Sequence, residues 1–280
     1  MSDPNKLPFL LRLLDDDSST VQDAVAHELA SYGPELAGEL GKLKPTPTED
    51  QVRKVGRMIE MWNRQWLRSS WHTWASLPND KDRLESALTQ LAEFQYGRAY
   101  PYKLPALLDQ LAEEYQLAYG EPNLFRLAHY LFQVKPLRGN RDNYYDPRNS
   151  NLVYCIEEKT GAPISLCCIY ALVGYRLNLN IEGLNLPGHF LARASDTRDI
   201  YIIDCFDGGR FLSERDIAAL DPPIAQSVRE LSQRSPCAHT IVARVLRNLH
   251  RAYLKDKREE NAMLMVDLLE QVERYILDET

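Results

Sequence analysis

The sequence predicts an α+β protein: one buried helix and a set of antiparallel strands form the core, and helices extend it at both ends. Three observations lead there. Residues up to about 134 carry apolar side chains at helical spacing in successive segments, residues 179–206 switch to the two-residue alternation of strands, and helical spacing returns from about 239 onward. The chain has 280 residues, enough for one large domain or for a core with helical additions. Its 44% hydrophobic and 26% charged residues are the ordinary balance of a globular protein.

The first helix is expected over 7–15. Ser18 or Ser19 then caps TVQDAVAHELASYG, which ends near Gly33. This helix-turn-helix is similar to a single HEAT-type repeat, which cannot bury its own apolar face and must pack on something else. KPTPTED is a linker, with Thr48 as the N-cap of a helix over 49–69. Trp62 and Trp66 share one face of that helix, with Trp71 and Trp74 following, and packing against protein rather than a membrane surface is the expectation. Helical patterns continue at 81–96, 105–118 and 122–134. PLRGNRDNYYDPRNSN, rich in Gly, Asn, Asp and Pro, is a loop. Asn149 or Ser150 is expected to cap the short helix NLVYCIEEK, which closes at Gly161. Pro163 fits the first turn of PISLCCIYALVGYRLN, a helix apolar nearly all round and therefore buried. LNIEGLNL, GHFLARA and DIYIIDCF read as strands, with turns at SDTRD and DGGR. SERDIAAL is a short helix, DPPIAQ and RSPC are loops, and helices over 239–255 and 258–277 close the chain. The domain division that follows is a helical region over 1–78, a core over 79–235 and a helical pair over 236–280.

Charge and cysteine usage narrow the function. A net charge of −7, from 33 basic and 40 acidic residues with no basic run, argues against a nucleic-acid partner. MSDPNKLPFLLRLLDDD lacks the basic start, long apolar stretch and cleavage site of a signal peptide, and LCCIYALVGY is too short to span a bilayer. A cytoplasmic protein with no membrane partner is the expectation. Cys155, Cys167, Cys168, Cys205 and Cys237 are odd in number and mostly lie in apolar patterns, which suits reduced, buried thiols. No pair has CxxC spacing, and neither a metal nor a cofactor is expected.

GAPISLCC, residues 161–168, raises the possibility of nucleophilic chemistry, because a helix N-terminus stabilises a thiolate. Downstream lie His189 and Asp204. With the hairpin turn centred between Asp196 and Thr197, antiparallel register sets 189 opposite 204 on one face, with Cβ atoms about 4.5–5.5 Å apart. An Asp beside an imidazole orients it and stabilises its charged form. A one-residue slip would part the two, and His189 reads equally as a hydrogen-bonded strand residue. Cys, His and Asp in that order, on a helix and then two adjacent strands, is the arrangement of papain-like and transglutaminase-like folds.

LRGNRDNYYDPRNSNLVYCIEEKTGAPISLCCIYALVGYRLNLNIEGLNLPGHFLAR resembles the SirB-type (SirB-one) family, a branch of the transglutaminase-like superfamily. The likeness rests on Gly139, Asn140, Tyr144, Tyr145, Asp146, Pro147, Asn149 and Ser150 in the loop, and on Gly161 and Pro163 through Leu166 at the helix start. Pro187 through Leu191 and then Asp204, Phe206, Gly208 and Gly209 complete it. It covers about residues 80–277, with Ala162 and Cys205 as mild departures. The resemblance implies a transglutaminase-like core and a Cys-His-Asp site, with His189 and Asp204 at two of the three positions. The superfamily's cysteine follows Gly-x at the helix start, and that position is Pro163 here. Asn178 stands where the helix usually closes on Gly. Cys167 lies one turn, about 5–6 Å, deeper, Cys168 is turned about 100° further round, and Ser165 points away from that face.

Two functions follow. In the first, the protein is a non-catalytic scaffold that binds a protein or peptide partner in the cleft, with His189, Asp204, Tyr144, Tyr145, Asn149 and Ser165 lining or bracing it. Relatives of this core beside F-box modules imply adaptor-like use in that branch. In the second, Cys167 or Cys168 attacks an amide or ester carbonyl, with His189 as general base and Asp204 orienting it, as in an amidase, peptidase or acyltransferase.

Overall fold

The computed structural model describes residues 3–186, 189–196, 199–219, 222, 226, 228 and 237–278. It is an α+β structure with helical extensions, and it divides into two compact units. One comprises residues up to Trp71 with Gln90–Pro101, and the other His72–Thr89 with the chain from Tyr102 onward. Pro187, Gly188, the centre of the SDTRD turn and most of the DPPIAQ and RSPC loops lie outside the described residues.

The first unit holds α1 (Leu7–Arg12), α2 (Ser19–Ala30), α3 (Leu36–Lys42) and α4 (Glu49–Ser70). Leu7, Leu29, Val55 and Met58 meet in one apolar cluster. The sequence does not announce α3: LAGELGK has two glycines, and Leu36 and Leu40 are its only buried side chains. Thr48 caps α4 in a reciprocal box, its hydroxyl accepting from the Gln51 N–H at 3.2 Å while the Gln51 side chain accepts from the Thr48 N–H at 2.9 Å. Trp62 and Trp66 pack on protein. The Arg98 guanidinium lies 5.8 Å from one ring centre and 5.3 Å from the other.

Helix α5 (Asp80–Tyr96) contributes residues to both units. The second unit continues with α6 (Leu104–Tyr119) and α7 (Leu124–His129), which widens into a π-helical turn over Tyr130–Val134 instead of running on regularly to 134. Then come β1 (Arg138–Gly139), α8 (Leu152–Glu158), β2 (Thr160–Gly161) and α9 (Pro163–Arg176). Strands β3 (Asn180–Leu186), β4 (His189–Ser195), β5 (Ile200–Asp204) and β6 (Arg210–Leu212) form an antiparallel sheet in that order. Helices α10 (Glu214–Ala218), α11 (Ala238–Lys255) and α12 (Glu259–Asp278) follow.

Helix α9 is the centre of this unit. Every residue from Pro163 to Gly174 is buried, against α6, α7, α8, β3 and β4. Its end is tied down by Arg176, which donates to both Glu85 oxygens at 2.7 and 2.9 Å and to Asp109 at 2.5 Å. Asn178 then adopts φ +57°, the left-handed conformation that ends helices and that Asn tolerates better than most residues.

Two sequence expectations are corrected. The cap of α8 is Asn151, not Asn149 or Ser150: its side chain accepts from the N–H groups of Val153 and Tyr154 at 3.0 and 3.3 Å. The β4–β5 register pairs Ala192 with Ile203 and Ser195 with Ile200, two residues away from the expected alignment. The connection is closed by the Asp196 N–H donating to the Asp199 carbonyl at 3.2 Å, so the turn centres one residue later than expected.

Candidate functional site

The site is built where the loop after β1 meets the start of α9 and the ends of β4 and β5. The parallel pairing of Arg138 with Thr160 and of Gly139 with Gly161 anchors the loop. Both glycines are required by crowding. A Cβ at Gly161 would stand 2.5 Å from the Cys155 sulfur, and one at Gly139 would collide with the Phe206 ring.

Asn149, 2% exposed, organises the loop. Its amide donates to the carbonyls of Asn143 at 2.8 Å and Tyr144 at 3.1 Å, and its Oδ1 accepts from Asn140 Nδ2 at 2.9 Å. That commitment explains why Asn151 makes the cap. The Asn149 backbone carbonyl accepts from the Ala162 N–H at 3.0 Å and the Ser165 hydroxyl at 2.7 Å, joining the loop to the first turn of α9. Asn149 therefore braces the site from within. Ser165, 1% exposed with its hydroxyl engaged, braces this junction and does not line an open cleft. Tyr144 and Tyr145 are exposed, 51% and 44%, with ring centres 5.3 Å apart.

His189 and Asp204 are brought together, but diagonally and not as directly opposed partners. A slip of two residues preserves strand parity, so both stay on the face that carries Leu191 and Ile202. His189 Nε2 lies 3.2 Å from Asp204 Oδ2. Asp204 Oδ1 accepts from the N–H groups of Phe206 and Asp207, each at 3.0 Å. Burial pushes the Asp204 carboxyl up, but the His189 hydrogen bond and charge, together with these backbone donors, outweigh it and hold the group below its ordinary value. An ionised carboxylate only accepts, so Nε2 is the donor in this pair. The His189 side chain is 29% exposed, within reach of a ligand.

The thiols have a different environment. Cys167 and Cys168 are 1% and 2% exposed. Cys167 Sγ donates to the Phe190 carbonyl of β4 at 3.8 Å. Burial, then the Cys205 thiol and the nearby Asp204 charge, push the Cys167 thiol up; burial does the same to Cys168. Among the described residues no hydroxyl or thiol is hydrogen-bonded to the His189 ring, and no cluster of three or more His, Cys, Asp or Glu side chains has the makings of a metal site. No helix of the described chain is long and apolar enough to cross a membrane.

Sequence reading gave Asn140 no role and missed Phe206 as the lid over Gly139, although both lie in quoted motifs. Nothing in the sequence marks the α11 side chains Arg244, which reaches the end of β3, and Lys255, which reaches Tyr145 of the loop, because helical spacing says which face they share but not what they meet.

A buried central helix, an antiparallel sheet against it and a His-Asp pair at adjacent strand ends define a transglutaminase-like α+β core. A family model described as the transglutaminase-like superfamily matches residues 99–247, and the chain belongs to that superfamily. Among individual proteins it is similar to a UPF0162 protein of Xylella fastidiosa (strain 9a5c), 33% identical over 214 residues, covering 72% of this chain and 76% of the relative. A UPF0162 protein of Vibrio cholerae is 28% identical over 143 residues, covering 49% of this chain and 52% of that one. F-box only protein 21 of Mus musculus is 31% identical over 94 residues, 31% of this chain and 15% of the mouse protein. No solved structure matches.

Proposed function

We propose that this chain is a non-catalytic, SirB-type scaffold of the cytoplasm that binds a protein or peptide segment beside the His189–Asp204 pair. The observation that carries the reading is the start of α9. Pro163 begins the helix where the family resemblance puts the nucleophile, Ser165 is spent on the Asn149 carbonyl, and the two cysteines beyond are buried with their thiols pushed away from ionisation. What remains is a partly exposed imidazole held by a charged Asp, and a loop that carries two exposed tyrosines, groups suited to hydrogen bonding and stacking. The HEAT-like helices over 1–78 and the C-terminal helical pair fit partner binding. A core shared with a protein named for its F-box fits a domain used beside other modules.

The test is capture of partners from the source cell with the wild-type chain and with His189→Ala. A set of partners lost in the variant is the expected result, and identical partner lists would overturn binding at this pair. Iodoacetamide near neutral pH is expected to alkylate Cys237 in the native protein and to leave Cys167 and Cys168 unmodified. Selective alkylation of either would restore the cysteine amidase, peptidase or acyltransferase reading.

A further inference from the structure

Helix α11 carries a row of cations that the His189–Asp204 pair does not use. Arg244, Asn248, Arg251 and Lys255 recur at helical spacing and form one stripe. Both ends of the stripe are located. Arg244 Nη1 donates to Asn185 Oδ1 at 3.3 Å and to the Leu186 carbonyl at 3.4 Å, just before the chain enters β4 at His189. Lys255 Nζ stands 3.6 Å from the centre of the Tyr145 ring. Arg251 lies between them, exposed. The neighbouring stripe turns the other way, with Arg247 paired to Glu273 of α12 at 2.6 Å and His250 Nδ1 3.1 Å from the Ala262 carbonyl.

Arg244, Arg251 and Lys255 have no carboxylate within ion-pair distance among the described residues. Arg244 is the most informative, being half-buried with only neutral oxygens as acceptors. Burial, then the charges of Arg251 and Arg247, act against its protonated form, and the nearby Tyr144 hydroxyl acts in its favour. In a chain of net charge −7 this is a local reversal of sign.

We propose that this stripe docks an acidic peptide segment of a partner protein, laid along α11 from beside His189 to Tyr145. The proposal rests on the scaffold reading and names the chemistry of what is bound. The stripe is about 16 Å long at the helical rise, the span of about five residues of extended chain. Arg251 and Lys255 are about 6 Å apart along the axis, the spacing of carboxylates two residues apart on a strand. Tyr144 and Tyr145 give apolar side chains of the same peptide a surface to lie on. A nucleic acid fits less well, because three cations in an acidic chain make no broad positive field.

The test uses the full chain and a fluorescein-labelled peptide of about seven residues alternating Glu and Leu, against the same peptide with Gln for Glu, read by fluorescence anisotropy. The Glu peptide is expected to bind at least about tenfold tighter and to weaken in about 0.3 M salt. Arg251→Glu with Lys255→Glu, both exposed, is expected to lose about tenfold with an unchanged thermal melt. Equal binding of the two peptides, no binding of the Glu peptide, or binding unmoved in the double variant overturns the proposal. So does single-stranded DNA of the same charge that binds as tightly and is lost in the same variant. Running the double variant beside His189→Ala in the partner capture separates the two readings. Partners that need His189 but not Arg251 and Lys255 leave the scaffold standing and remove the acidic stripe. With no His189-dependent partner at all, the scaffold reading falls while the peptide titration still decides the stripe.

Discussion

Asp204 accepts three hydrogen bonds, one from an imidazole and two from backbone N–H groups, in a side chain only 14% exposed. The cost of burying a charge is thus met by donors on every side except one. Its carboxyl is held below 3.8, so its contribution to stability is fully present above that pH and is lost as pH falls through the lower folded value. Asp204→Asn is expected to cost about 1.5–3 kcal/mol at pH 7, by the loss of charge-assisted bonds. Urea unfolding should show the gap to wild type closing below pH 3.8. A gap that persists undiminished in acid would mean that shape, not charge, is what Asp204 supplies. That His189 and Asp204 share a face was readable from strand parity. That they meet diagonally was not, because hairpin register depends on which residues close the turn.

At the scale of elements, the junction of loop, α8 and α9 is held by the close pairing of β1 with β2. Here Gly161 lets the chain pass over the Cys155 sulfur, which itself donates to the Asn149 carbonyl at 3.3 Å. Gly161→Ala is expected to destabilise by about 1–3 kcal/mol through overpacking. Adding Cys155→Gly should recover most of that loss, since it empties the space that the new methyl group needs. Denaturant midpoints of the two single variants and the double variant check the coupling, and strictly additive losses would refute it. At the same junction residue type alone does not select the cap of α8. Asn149, Ser150 and Asn151 are all competent by residue type, and the choice fell to Asn151 once Asn149 was drawn into the loop.

At the scale of the whole molecule, the first compact unit depends on a segment distant in sequence. Arg98 lies across Trp62 and Trp66, Asn63 Nδ2 donates to the Phe94 carbonyl at 3.4 Å, and Ala99 sits against Gly33. A fragment of residues 1–78 lacks all of these, whereas 1–101 retains them. The longer fragment is expected to melt cooperatively by circular dichroism and the shorter without a defined transition. A sharp melt of 1–78 would make the 90–101 segment dispensable. The second unit is centred on α9, whose all-round apolarity marked it as buried before any partner was known.

By itself the sequence determined the order of the longer helices and of strands β3, β4 and β5, the burial of α9, the Thr48 cap and the motifs that mark the superfamily. Each of these is a local matter of side-chain period, capping chemistry or residue type. The tertiary structure alone decided the β4–β5 register, the commitment of Asn149 to the loop, the burial of Ser165 beneath it and the placing of the α11 cations beside Tyr145. These are choices among partners that residue type allows equally, and they are made only when distant segments compete for the same volume and the same hydrogen-bonding groups.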